Sequence, residues 1–352
     1  MEAISEVSSC FVDMEELSDK AGAYLAKLVG SESSYITNGA AAGIVFSVAA
    51  SITNGSISDI LRLPESDGMP SEIVVQKSQV RSNPYISLVR IAGGKLKVVD
   101  DEAGISVEKF EQSITTSTAA VLYVVFDPDN SALPLKDVIS IAHKRNIPVI
   151  VDAAAELPPS ENLRKYTDLG ADLVAFSGGK DLGALNNTGV IFGKAHLIEN
   201  CKKLGPLSYP LFGGTSFSTI GRPMKVSKEG IVALVAAIEK YLDTDHEARI
   251  ARWESMCSRI VSGIARAITL SEIKIVHPSG KERIRPIIVP RVELKVKNAS
   301  PDKLLSNLRN LSPPIYVNRS GEGIVINPQC LLDDEVEPLI KGIVTVLENF
   351  GS

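Results

Sequence analysis

The sequence predicts an α/β protein: a mostly parallel sheet with helices on both faces, followed by a smaller α+β region. Three observations carry this. Strand-like apolar runs alternate with helical ones from about residue 30 to residue 193, which is the pattern of a sheet covered by crossover helices. Past residue 227 the order changes to long helices, then strand, strand, helix, strand, strand, helix. The chain has 352 residues, more than a single ordinary core accommodates, so two domains are expected. The boundaries follow the change in pattern: residues 1–226 form a large α/β domain with an N-terminal helical arm, and 227–352 a linking helix and small α+β domain.

Taken in order, apolar periodicity runs from about Val12 to Leu28 and breaks at Gly30 and Ser31. The short strand SSYI leads to the turn Thr37, Asn38, Gly39, and Ala40 to Ala50 reads as a small-residue helix. Strands are expected at EIVVQ (72–76), LKVV (96–99), AAVLYVVF (119–126), PVIVD (148–152), DLVAFS (172–177) and TGVIFG (188–193). Between the third and fourth of these, PLKDVISIAHKRN starts with Pro134 and ends with basic residues, as a helix does. Beyond the loop PLFGGTSFSTIGRPMKV, helices are expected at 227–242 and over HEARIARWESMCSRIVSGIARAI, and the last helix over EVEPLIKGIVTVLENF.

Composition narrows the function classes. Hydrophobic residues are 44% and charged residues 22% of the chain, a globular and not a disordered balance. The net charge of -5 offers no broad field for nucleic acid. Cys10, Cys201, Cys257 and Cys330 lack any CxxC or Cys/His ligand spacing, and His143, His196, His246 and His277 show none either, so no metal is expected and the thiols read as reduced. The N-terminus has no leader pattern and no later run is long enough for a bilayer span, which predicts a cytoplasmic location without a membrane partner.

The residues that could carry chemistry lie at strand ends. Asp152 ends a buried-looking run, at the carboxyl edge where open α/β sheets bind ligands, although an Asp capping a turn gives the same pattern. Lys180 follows just beyond the next strand, in VAFSGGKDLGALNNTGVIFGK. A strand-end carboxylate followed by a lysine one strand later is what a pyridoxal phosphate enzyme needs: an amine to form the Schiff base and an acid to keep the pyridine nitrogen protonated. A solvated loop lysine is the plain alternative, and a P-loop lysine fails because SGGKDL leads into a strand. Ser177 and Gly178 are suited to a phosphate, and Thr37-Asn38-Gly39-Ala40 supplies a tight turn whose helix presents unpaired N–H groups to an anion.

Four segments together, FVDMEELSDKAGAYLAKL, ITNGAAAGI, IPVIVDAAAELPPSENLRKYTDLGADLVAFSGGKDLG and IGRPMKVSKEGIVALVAAIEKYL, resemble the selenocysteine-synthase-like group of fold-type-I pyridoxal phosphate enzymes. That group includes L-seryl-tRNA(Sec) selenium transferase and D-glucosaminate-6-phosphate ammonia-lyase. The resemblance implies an aspartate-aminotransferase-like fold, with a seven-stranded sheet in a three-layer large domain, and a homodimer or higher homo-oligomer. It implies that Lys180 is the internal-aldimine lysine, Asp152 the pyridine-nitrogen partner and Ala154 the small residue packed on the ring. Thr37, Asn38, Gly39, Ala40, Ser177 and Thr188 are implied cofactor contacts, and Arg319 and Arg222 candidate substrate contacts. The chain departs from the group at Ala184-Leu185-Asn186, where relatives carry Gly-Pro-Gln, and at Gln79, where many relatives carry a histidine that lies over the cofactor ring. It also starts after a segment that relatives carry at the N-terminus.

The function these residues predict is pyridoxal 5'-phosphate chemistry on an amino acid or amino sugar acid, by α,β-elimination of the ammonia-lyase kind. Selenium transfer on seryl-tRNA is an alternative that the acidic balance and the absent N-terminal region disfavour, so tRNA is not expected as a partner. An aldolase on the same cofactor and a noncatalytic binding homologue are the others.

Overall fold

The computed structural model describes residues 1–80, 86–100, 104–125, 131–207, 219–267, 272–278, 285–296 and 299–351. Arg81, Phe126 and the stretch 208–218 of the long loop lie outside them. The chain forms two compact units, Met1–Thr244 and Asp245–Ser352.

The first unit opens with helices α1 (Glu2–Ser8) and α2 (Met14–Val29), strand β1 (Ser33–Thr37), and helices α3 (Gly39–Thr53) and α4 (Ile57–Ile60). Next come β2 (Glu72–Gln76), α5 (Lys77–Val80), α6 (Ser87–Ile91), β3 (Lys95–Val99), α7 (Val107–Ser113) and β4 (Thr118–Val124). The unit continues through α8 (Leu135–His143), β5 (Val149–Asp152), α9 (Asn162–Asp168), β6 (Leu173–Ser177), β7 (Gly189–Gly193), α10 (Ala195–Leu204) and α11 (Lys228–Leu242). Asp13 caps α2 by accepting from the Glu15 and Glu16 N–H groups, and Ser227 caps α11 through Gly230 N–H.

Seven strands form one sheet in the order β1-β7-β6-β5-β4-β2-β3. Five of them, β3, β2, β4, β5 and β6, run parallel, and β7 is antiparallel to both β6 and β1. Alternate residues of the central strands enter opposite cores. Val121, Val149, Val151, Val174 and Phe176 pack with Leu25, Phe110, Val138, Leu163 and Leu234, whereas Ala120, Leu122, Ile150, Leu173 and Ala175 pack under α3, α6 and α10. Burial on both faces makes the three layers and explains why these strands read as unbroken apolar runs.

The second unit begins with α12 (His246–Ala267), followed by β8 (Glu272–Val276), β9 (Arg291–Lys295), α13 (Pro301–Arg309), β10 (Asn318–Ser320), β11 (Gly323–Ile326) and α14 (Val336–Gly351). Its sheet is antiparallel, in the order β10-β11-β9-β8. Val292, Leu294, Ile324 and Ile326 meet Trp253, Ile260, Leu304 and Ile343 in a separate core. Among the described residues no helix is long and apolar enough to cross a membrane.

Candidate active site

The parallel strands carry their carboxyl ends to one edge of the sheet, and Asp152 is the last residue of β5 there. Its Oδ1 accepts the Ala154 N–H at 3.1 Å, which fixes the carboxylate while leaving it half-buried. The neighbouring strand β6 is fully buried from Leu173 to Phe176 and ends at Ser177, so the chain emerges at the same edge one strand over. Lys180 stands exposed in the turn that follows. Its neighbours pin that turn: Asp181 accepts the Tyr241 hydroxyl at 2.7 Å, Leu182 is buried, and Gly183 N–H closes onto the Lys180 carbonyl at 3.0 Å.

On the other side of β7, β1 ends at Thr37 in register with Gly189, which is itself in register with Ser177. The turn into α3 therefore lies directly beside the start of the lysine hairpin. Gly39 takes φ +80 and Thr37 Oγ1 donates to the Gly39 carbonyl at 2.9 Å. A Cβ at Gly189 would stand 2.4 Å from the Gly39 carbonyl carbon and 2.6 Å from the Ala40 nitrogen, so only glycine allows this approach. Asn38 occupies the N-cap of α3, yet its side chain makes no capping bond. The N–H groups of the first turn thus face outward with the positive end of a fifteen-residue helix behind them.

These strands and turns converge on one cavity of about 280 Å3, lined by Asn38, Gly39, Ala40, Asp152, Ala154, Ser177 and Lys180 together with Ala41, Ile44, Leu88, Asn186 and Asn187. Of the residues the sequence nominates, Thr37 and Thr188 are buried behind this lining, and the Thr188 hydroxyl donates to the Leu185 carbonyl at 2.7 Å. Arg222 is exposed in the turn 220–223. Arg319 belongs to the second unit, where its Nη1 donates to both oxygens of Asp302 at 3.0 and 3.1 Å. Sequence reasoning missed Asn187 as a lining residue; its signal is the Asn-Asn pair between the lysine and the next strand. It also missed that Gln79 is wholly buried.

The donor set suits pyridoxal phosphate: a single amine, a carboxylate across from it and an uncapped helix start for an anion, all on one cavity. Among the described residues no cluster of His, Cys, Asp and Glu could hold a metal ion. His143 instead pairs with Asp172 at 2.8 Å near the opposite edge of the sheet.

Comparison with known proteins agrees with this donor set. The pattern of the aminotransferase class-V family matches residues 43–281. The chain is 29% identical over 359 residues to a 5'-C-glycyluridine monooxygenase-decarboxylase of Streptomyces, covering 99% of this chain and 85% of that protein. It is 34% identical over 245 residues to the D-glucosaminate-6-phosphate ammonia lyase of Salmonella typhimurium, covering 68% of this chain and 62% of that one. A solved structure of D-glucosaminate-6-phosphate ammonia-lyase superposes with a TM-score of 0.81 at 26% identity, over 100% of this chain and 91% of that one. The chain belongs to the aminotransferase class-V family of fold-type-I, pyridoxal phosphate dependent enzymes.

Proposed function

We propose that the protein removes the α-proton of an amino acid or amino sugar acid and expels the β-substituent, an elimination of the ammonia-lyase kind. The observation that carries this reading is the convergence of Lys180, Asp152 and the uncapped start of α3 on one cavity. Bound there, pyridoxal phosphate supplies an electron sink for the bond broken at the substrate α-carbon. Lys180 holds the cofactor through its Nζ and later serves as the general base. Asp152 keeps the proton on the pyridine nitrogen, and the half-buried setting of its carboxylate strengthens that charge-assisted bond. The N–H groups of Gly39 and Ala40, with the side chains of Asn38 and Ser177, bind the phosphate, and Ala154 leaves room for the ring. Thr37 and Thr188 shape the two turns from behind.

Two relatives support the substrate class. D-glucosaminate 6-phosphate and 5'-C-glycyluridine both name an amino-acid head on a sugar-derived tail. The second relative, which spans 99% of the chain, also favours a rival reading, oxidative loss of the carboxyl group. Ammonia release in the absence of oxygen separates elimination from that rival.

The cofactor assignment is tested by adding pyridoxal phosphate to the purified protein, reducing with borohydride and mapping the adduct by mass spectrometry. The adduct is expected on Lys180, and Lys180→Ala abolishes both it and the visible absorbance of the complex. Wild-type protein that takes up no cofactor, or an adduct that persists on another lysine in the variant, sinks the assignment.

A further inference from the structure

We propose that Asn186 and Asn187 recognise the hydroxyl-bearing tail of the substrate, so that the turn after Lys180 sets specificity; this rests on the reading of the cavity as a substrate site. Both residues line the same cavity as Lys180 and Asp152. Both are exposed, and among the described residues neither side-chain amide has a hydrogen-bond partner. That is uncommon for asparagine in a tight turn, where the side chain ordinarily bonds to nearby backbone. Here backbone and hydroxyl groups do that work. Ala184 N–H donates to the Gly178 carbonyl at 2.9 Å, Gly178 N–H to the Thr188 carbonyl at 2.8 Å, and Thr188 N–H to the Leu185 carbonyl at 3.0 Å. The Thr188 hydroxyl adds a second bond to Leu185 at 2.7 Å.

The turn is close-packed as well as bonded. A Cβ at Gly179 would lie 2.4 Å from Asn186 Cα, so the residue before Lys180 and Asn186 stack with no room between them. Two amides are thus presented on a fixed backbone beside the lysine, so that a ligand has only their side chains to order when it arrives.

The chemistry of the lining indicates what they would bind. Among the described residues that line it, Lys180 and Asp152 are the charged groups, and Asn38, Asn186 and Asn187 add neutral primary amides. Each amide offers two donors and an acceptor, which matches hydroxyls that both give and accept a proton. A second ionised group on the substrate would be met far better by a charged side chain. The amide pair therefore fits a neutral polyhydroxyl tail.

The test uses full-length protein loaded with pyridoxal phosphate and two probes, D-glucosaminate and D-serine, which share the configuration of the amino-acid head and a β-hydroxyl and differ in the polyol tail. Dissociation constants are read from the change in cofactor absorbance, which also reports that each variant is folded and loaded. Wild type is expected to bind D-glucosaminate at least about tenfold tighter than D-serine, and Asn186→Ala and Asn187→Ala each to weaken D-glucosaminate binding about tenfold. D-serine should weaken less than about threefold, since its short side chain reaches neither amide. Asn187→Gln keeps the amide and should recover part of the loss. Equal weakening of both probes, no weakening of either, or no preference in wild type overturns the proposal. A wild-type protein whose spectrum responds to neither probe overturns the proposed function, and this inference with it.

Discussion

Gln79 is wholly buried, and among the described residues neither its amide nitrogen nor its amide oxygen has a partner; the Ser78 hydroxyl beside it is likewise without one. An unpaired buried amide carries its full desolvation cost, of the order of 1 to 3 kcal/mol. Replacing it by an apolar side chain of similar size removes that cost without opening a cavity. Gln79→Leu is therefore expected to raise the urea midpoint of the cofactor-free protein, equivalent to about 1 to 3 kcal/mol of stability. A lower midpoint would mean that the amide is paired in solution. The contrast with Lys180 shows what a sequence reveals at this scale. Lys180 is flanked by two apolar runs and by glycines, so its place between strands is legible. Gln79 sits in α5, four residues long, where no periodicity can report which side chain faces inward.

The elements were legible wherever burial is two-sided. EIVVQ forms β2 over the residues its pattern assigns, and PVIVD, DLVAFS and TGVIFG form β5, β6 and β7 with the first residue of each left outside. The expected order of the C-terminal elements also appears, from β8 to α14. What periodicity does not carry is lateral order: nothing in the pattern tells that β7 inserts between β6 and β1, yet that insertion brings the α3 turn beside the lysine hairpin. Gly189 is where this packing is tightest. Gly189→Ala forces its new methyl into the Gly39-Ala40 peptide and displaces the helix start, at a cost of about 1 to 3 kcal/mol for overpacking. The variant should bind pyridoxal phosphate at least about tenfold more weakly, with a smaller loss in urea stability, because the displaced N–H groups belong to the proposed phosphate site. Cofactor titration by absorbance measures the first and urea unfolding the second. Unchanged affinity would separate the α3 turn from the phosphate.

At the scale of the whole chain, each compact unit buries one thiol. Cys201 lies in α10, under the face of the sheet that α3 covers, and Cys257 in α12, against Trp253 and Ile260. Burial pushes the Cys201 thiol far above its usual range and the Cys257 thiol up to about 12. Since the thiolate is the reactive form, both should resist alkylation at mildly alkaline pH for reasons of access and of charge. Cys10 and Cys330 are exposed, one in each unit. Iodoacetamide followed by peptide mass spectrometry should therefore label Cys10 and Cys330 in the native protein, and all of the cysteines only after urea unfolding. Native protection of Cys201 with rapid labelling of Cys257 would show that the second unit opens while the first stays closed. That is a direct test of whether the antiparallel sheet and its three helices form as firm a core as the seven-stranded unit that carries the candidate site.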